Sequence, residues 1–240
     1  HLVISALALP GKVGEEAHGP STLYYGTQTD HVKWHRAPVD IAGTRNNVVF
    51  AVTEKRTCEH SGCFNVLGLA TPRHGVVPFL RQLFPIPDMT INFGRNPQLH
   101  IGIAMESPNW FPLVDHGHWF VLRLHGAYVR RGDGTQTKIA DVSELMLDTG
   151  SNMLGCSPTT KGALQAGLER DDDFVLLLHD SKNNEVPYVV PPQMYRHSDG
   201  SLLVDAHHTQ DNMLVLGALF MRGRRFSFDV AQGRVGISPA

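Results

Sequence analysis

At 240 residues, with 21 Lys and Arg against 23 Asp and Glu, the chain is long enough for one or two domains around a substantial core. Its formal net charge of −2 lacks the basic excess that a nucleic-acid partner requires. The longest apolar runs, Met213 to Phe220 and Phe174 to Leu178, fall far short of the roughly 18 residues needed to span a bilayer, which excludes a transmembrane helix of that kind.

Taken in chain order, His1 to Pro10 is apolar but has neither an initiator Met nor a basic lead-in, and reads as the cut end of a longer or processed chain. Val48 to Val52 is the first strong strand candidate, and Val76 to Leu83 reads as a short helix. Pro85 to Pro97, with Pro, Asn and Gly throughout, approaches a boundary that divides the chain into residues 1–100 and 101–240. Strands follow at Trp119 to Leu124 and Leu145 to Leu147. Ser157 and Pro158 then open a helix to Leu168 as cap and first-turn proline. Phe174 to Leu178, Leu214 to Leu216 and Arg225 to Phe228 complete the strands, with turns at Arg131–Gly134, Asp180–Asn184, Ser198–Gly200 and Ala231–Gly233. Sustained helical periodicity is scarce, so the expected class is all-β with a few short helices.

One segment carries chemistry. Leu145 to Asn152 delivers Asp148 at the end of an apolar strand, followed by Thr149, Gly150 and Ser151. Gly150 lets backbone approach the carboxylate, and the hydroxyls of Thr149 and Ser151 can bond the carboxylate or its surroundings.

Read with four other segments, this motif resembles the pepsin-type aspartic endopeptidases, in which each lobe has an Asp-Thr-Gly turn and a later apolar strand ending in glycine that crosses beneath it. Leu214 to Phe220, with Gly217, resembles that later strand for Asp148, and Arg225 to Ile237 the closing hairpin. Phe64 to Ala70, with Gly68, looks like the first lobe's crossing strand. Leu23 to Thr27 resembles the flap that closes over substrate, with Tyr25, Gly26 and Thr27 as its contact residues. Gln28 stands where the flap usually has a second glycine.

The resemblance implies a bilobal pepsin-like fold with a truncated first lobe, and peptide bond hydrolysis by two aspartates that activate water. The substrate would be a peptide or protein held in a cleft between lobes; no cofactor or metal is implied. Such a dyad shares one proton because two carboxylates a few ångströms apart do not both ionise, and it presents acid and base together. A lone Asp148 does not supply both roles. The expected activity therefore depends on a missing first-lobe segment, a companion chain or a second copy of this chain that pairs its own Asp148. The alternative is an inactive relative that binds peptide or serves as a subunit of a larger complex. An active protease would belong to a secretory or vacuolar compartment.

Fourteen histidines and three cysteines raise metal and disulfide readings. His31 with His35, Cys58 with His60 and Cys63, Asp115 to His118, and His207 with His208 are the groups, and none repeats a full zinc spacing. A loop disulfide or free thiols fit Cys58 and Cys63 better, Cys156 reads as a small buried filler, and Asp171 to Asp173 as a solvated loop.

Overall fold

The structure, a computed structural model, describes residues 2–5, 15–25, 28–41, 43–58, 66–67, 82–84, 88–114, 119–169, 171–206 and 210–240. It is predominantly β, as composition and alternation predict. Contacts divide the chain into two compact units, His1–Pro87 and Asp88–Ala240. The division falls ahead of residue 100 because residues 89–101 hydrogen-bond into the second unit's sheet.

The first unit holds strands β1 (Leu2–Ser5), β2 (Glu15–Ala17), β3 (Thr22–Tyr25), β4 (Gln28–Ile41), β5 (Thr44–Cys58) and β6 (Val66–Leu67). Its backbone is a long β4–β5 hairpin, antiparallel from Ile41↔Thr44 to Gln28↔Cys58 with a register shift between His31 and Val32. Apolar residues of β3, β4 and β5 meet on one side of it: Leu23, Val32, Trp34 and Ala51 form a buried cluster. The hairpin also buries a charge. Asp30 is fully buried and receives Arg56 in a two-toothed contact, Nε to Oδ1 at 2.6 Å and Nη2 to Oδ2 at 2.9 Å. Gln28 Nε2 (3.0 Å) and the Thr53 hydroxyl (3.3 Å) also donate to Oδ2.

The second unit holds β7 (Met89–Asn92), β8 (Gln98–Ile101), β9 (Trp110–Val114), β10 (Val121–Arg130), β11 (Gln136–Ala140), β12 (Glu144–Asp148) and β13 (Leu154–Cys156). After helix α1 (Pro158–Gly167) come β14 (Asp173–His179), β15 (Glu185–Val190), short helix α2 (Pro192–Tyr195), β16 (Val204–Ala206), β17 (Met213–Gly217), β18 (Arg224–Asp229) and β19 (Arg234–Pro239). The main path of its sheet runs β16-β13-β17-β12-β10-β9-β19-β18-β7-β8, with β11, β14 and β15 attached through β10. Six expected strands lie within β5, β10, β12, β14, β17 and β18, although Trp119 and Phe120 precede β10. Helix α1 starts as its sequence predicts: the Ser157 side chain accepts the Thr160 N–H, and Pro158 opens the first turn. Apart from Gln82 and Leu83, the expected helix from Val76 to Leu83 lies outside the described residues.

The two units repeat one arrangement. In the second, β13 is parallel to β16 (Leu154↔Val204, Gly155↔Asp205, Cys156↔Ala206) and antiparallel to β17 (Leu154↔Leu216, Gly155↔Val215). In the first, β1 is parallel to β5 (Val3↔Ala51, Ile4↔Val52, Ser5↔Thr53) and antiparallel to β6 (Leu2↔Leu67, Val3↔Val66). The members come in the same chain order, and Val66–Leu67 takes the place of Val215–Leu216. Among the described residues, no helix is long and apolar enough to cross a membrane.

Replacing Arg56 by Leu would leave the Asp30 carboxylate buried without its counter-charge. Denaturant unfolding is expected to show a loss of about 3–5 kcal/mol, with part of it recovered when Asp30→Leu is added. A loss below 1 kcal/mol would mean that Asp30 is solvated in solution.

Candidate functional site

Strand β12 alternates cleanly, with Leu145 and Leu147 buried and Met146 and Asp148 partly exposed. The Leu147 N–H donates to the Phe120 carbonyl at 2.9 Å, which ties the end of the strand down one residue before the carboxylate. On its other side β12 runs parallel to β17, in a register that sets Asp148 opposite Gly217. Since β17 also pairs with β13, it lies between the two strands that flank the Asp148 turn.

The turn is held by its own groups. Asp148 Oδ1 accepts the Gly150 N–H at 2.9 Å, and the Asp148 carbonyl accepts the Ser151 N–H at 3.2 Å. Of the two hydroxyls, Ser151 bonds the surroundings and not the acid: its Oγ accepts the Met153 N–H and donates to the Met153 carbonyl, each at 3.2 Å. Thr149 is exposed. Among the described residues no hydrogen bond engages Asp148 Oδ2. The site therefore offers one partly exposed carboxylate, oriented by backbone, able to accept or donate a proton but not both at once.

Gly217 is the constraint beneath it. A Cβ there would lie 2.7 Å from Met153 N and 2.8 Å from Ser151 O, and would also collide with Met153 O. The neighbouring Ala218 N–H donates to Ser151 O at 2.7 Å, so the turn rests directly on the end of β17. Sequence reasoning singled out Gly217 but not the contributions of Phe120, Met153 and Ala218, which act through backbone atoms that any side chain leaves available.

The other predicted site residues belong to the first unit or lie outside the described residues. Strand β3 pairs with β4 through Tyr25↔Gln28, so the segment that resembles a flap is flanked by a ladder. Gln28, at the place of the second glycine, is a buried ladder residue bonded to Asp30. Gly26, Thr27 and the Tyr25 side chain lie outside the described residues, as do Gly68, His60, Cys63, Asp115 to His118, His207 and His208, and the Cys58 side chain. His31 lies 3.3 Å from the Thr22 hydroxyl, and the His35 ring packs on Phe50; the two do not converge on a common point.

Asp171 to Asp173 depart from the expected solvated loop. Only Asp171 is exposed; buried Asp172 accepts the Glu169 N–H at 2.8 Å, and Asp173 pairs with Arg130 at 2.7 Å. Loop closure and a cross-strand cation thus use two of the three charges. Cys156 is a buried free thiol, and its burial pushes its pKa from 9.0 up to about 11.

Three outcomes follow for this site. Gly217→Ala is expected to cost about 1–3 kcal/mol, a Tm lowered by roughly 2–12 °C, because backbone must move. Asp148→Ala is expected to stay within about 1 kcal/mol of wild type by the same thermal melt; large unfolding would make the aspartate structural. The raised folded pKa of Cys156 contributes stability that is present below pH 9.0 and is lost as pH rises through about 11. At pH 8, its tryptic peptide should be alkylated far more slowly in native than in unfolded protein, and equal rates would mean that the thiol is open to solvent.

No protein-family model matches the chain, and no curated protein matches it.

Proposed function

We propose that this chain is the greater part of a pepsin-type aspartic endopeptidase, bilobal in plan, in which Asp148 supplies one of the two carboxylates that hydrolyse a peptide bond. The observation that carries the reading is the strand arrangement around Asp148: an acid at the end of β12, held by the Gly150 N–H, opposite a glycine on a parallel strand inserted ahead of β13. A rigid support of this kind fixes a carboxylate without consuming Oδ2, which suits a group that must exchange a proton with water or with a scissile carbonyl.

The repeated three-strand unit adds support. If Val66–Leu67 corresponds to Val215–Leu216, the first unit is built to the same plan as the second, as two lobes of one ancestry would be. The mechanism then calls for a second carboxylate in the place that corresponds to Asp148, brought by a further segment or a companion chain. In that pair, the ionised member takes a proton from water as the water oxygen bonds to the carbonyl carbon, and the protonated member donates to the carbonyl oxygen; the diol then returns a proton to the second member while the first protonates the nitrogen and the C–N bond breaks.

Peptide mapping by mass spectrometry of the native protein, joined to an assay of peptide hydrolysis, tests this reading. The expected result is an attached or copurifying segment with a second Asp-Thr-Gly, and hydrolysis lowered at least about a hundredfold by Asp148→Asn. Peptide binding without hydrolysis, and no such segment, would replace it with a pepsin-like binding module.

A further inference from the structure

Strand β10 bulges at His125. Leu124 pairs with Leu178 and Gly126 with Leu177, so His125 is the extra residue, and Gly126 takes a φ of 153° beside it. The bulge resets the alternation: His125 is exposed, Gly126 and Ala127 are both buried, and Tyr128 turns outward. The rings of His125 and Tyr128 stack with centroids 6.4 Å apart. Two neighbouring strands bring further donors to the same place, since His179 of β14 and Glu185 of β15 are cross-strand partners. His125 Nδ1 lies 3.1 Å from Glu185 Oε1, and the His125 and His179 ring centroids are 5.8 Å apart.

We infer that His125, His179 and Glu185 form a surface site for a divalent ion of the zinc class. Two imidazoles and a carboxylate are the donor set that such borderline ions take, with water in the fourth position. Tetrahedral bonds of about 2.0–2.1 Å place neighbouring donor atoms about 3.3 Å apart and two ligating rings about 5 Å apart, centre to centre. The observed 3.1 Å and 5.8 Å lie near those two separations. As they stand, His125 Nδ1 and Glu185 Oε1 are in contact, and no three such side chains among the described residues are grouped as they would be around a metal ion. The ion replaces that contact with coordinate bonds from the neutral imidazole and the carboxylate. His179 Nδ1 is buried and makes no hydrogen bond, so its ring turns without giving one up there. The side chains of His125 and Glu185 are 49% and 48% exposed, which leaves the ion a direct path from solvent.

Titration of the full chain with Co²⁺, followed by displacement with Zn²⁺, tests the site. One equivalent of Co²⁺ should give the intense visible bands of four-coordinate cobalt, and Zn²⁺ should abolish them. His179→Ala and Glu185→Gln should each weaken Zn²⁺ binding at least tenfold by calorimetry and remove the rise in Tm that Zn²⁺ gives the wild type. Unchanged melting of the metal-free variants separates ligand loss from misfolding. Absence of binding by wild type overturns the proposal, and so does undiminished binding by a His125→Ala, His179→Ala double variant, which would place the ion on other histidines.

Discussion

The approach of one backbone to another at Gly217 governs the second unit. Ser151 and Met153 lie so close over this residue that the space for a single methyl group is already filled by their main-chain atoms. Because Ala218 then donates to Ser151, and β17 pairs with β12 on one side and β13 on the other, the turn between those strands has one position. The orientation of the Asp148 carboxylate is a consequence of that fit. Its immediate partner, Gly150, is a backbone N–H within the same turn, so the acid inherits the rigidity of the sheet.

The first unit relies on a different device. Beyond the reach of β1, β2 and β3, the end of its long hairpin (residues 37–41 against 44–48) is a two-stranded ribbon, and such ribbons are marginal in water without further packing. The Leu23, Val32, Trp34 and Ala51 cluster supplies apolar burial, while Asp30 and Arg56 join the hairpin across its strands near the Tyr25–Gln28 end. A buried charge met by a planar guanidinium and two neutral donors constrains register more than it adds stability, since a slipped ladder would leave the acid unpaired.

Strands and turns were legible wherever local chemistry decides them. Phe174 to Leu178, the Ser157 cap with Pro158, and the Asp180–Asn184 turn needed only alternation, capping and turn residues. The Asp148 turn was legible too, because an acid, a small hydroxyl residue and a glycine at the end of an apolar strand form an uncommon local pattern. What stayed hidden depends on register over long separations. Nothing local to Asp172 announces that Tyr195 bonds its carbonyl, or that Glu169 caps its side chain, so a run of three acids looked merely solvated. His125, His179 and Glu185 were missed for the same reason: they meet through a bulge and two ladder pairings, while histidines close in sequence, His31 and His35, drew attention and proved to be apart.

The order of β12, β13 and β17 along the chain has a consequence for biogenesis. Strands β12 and β13 leave the ribosome almost together, yet the strand that joins them, β17, follows about sixty residues later. Until it arrives, both present open edges flanking an unsupported turn, a state prone to pairing with the wrong neighbour. Insertion of a late strand between two early ones is also non-local, and closes slowly. A nascent chain halted before Met213 would thus carry the Asp148 motif in full without the strand that supports it, so the acid is seated only once β17 has been made.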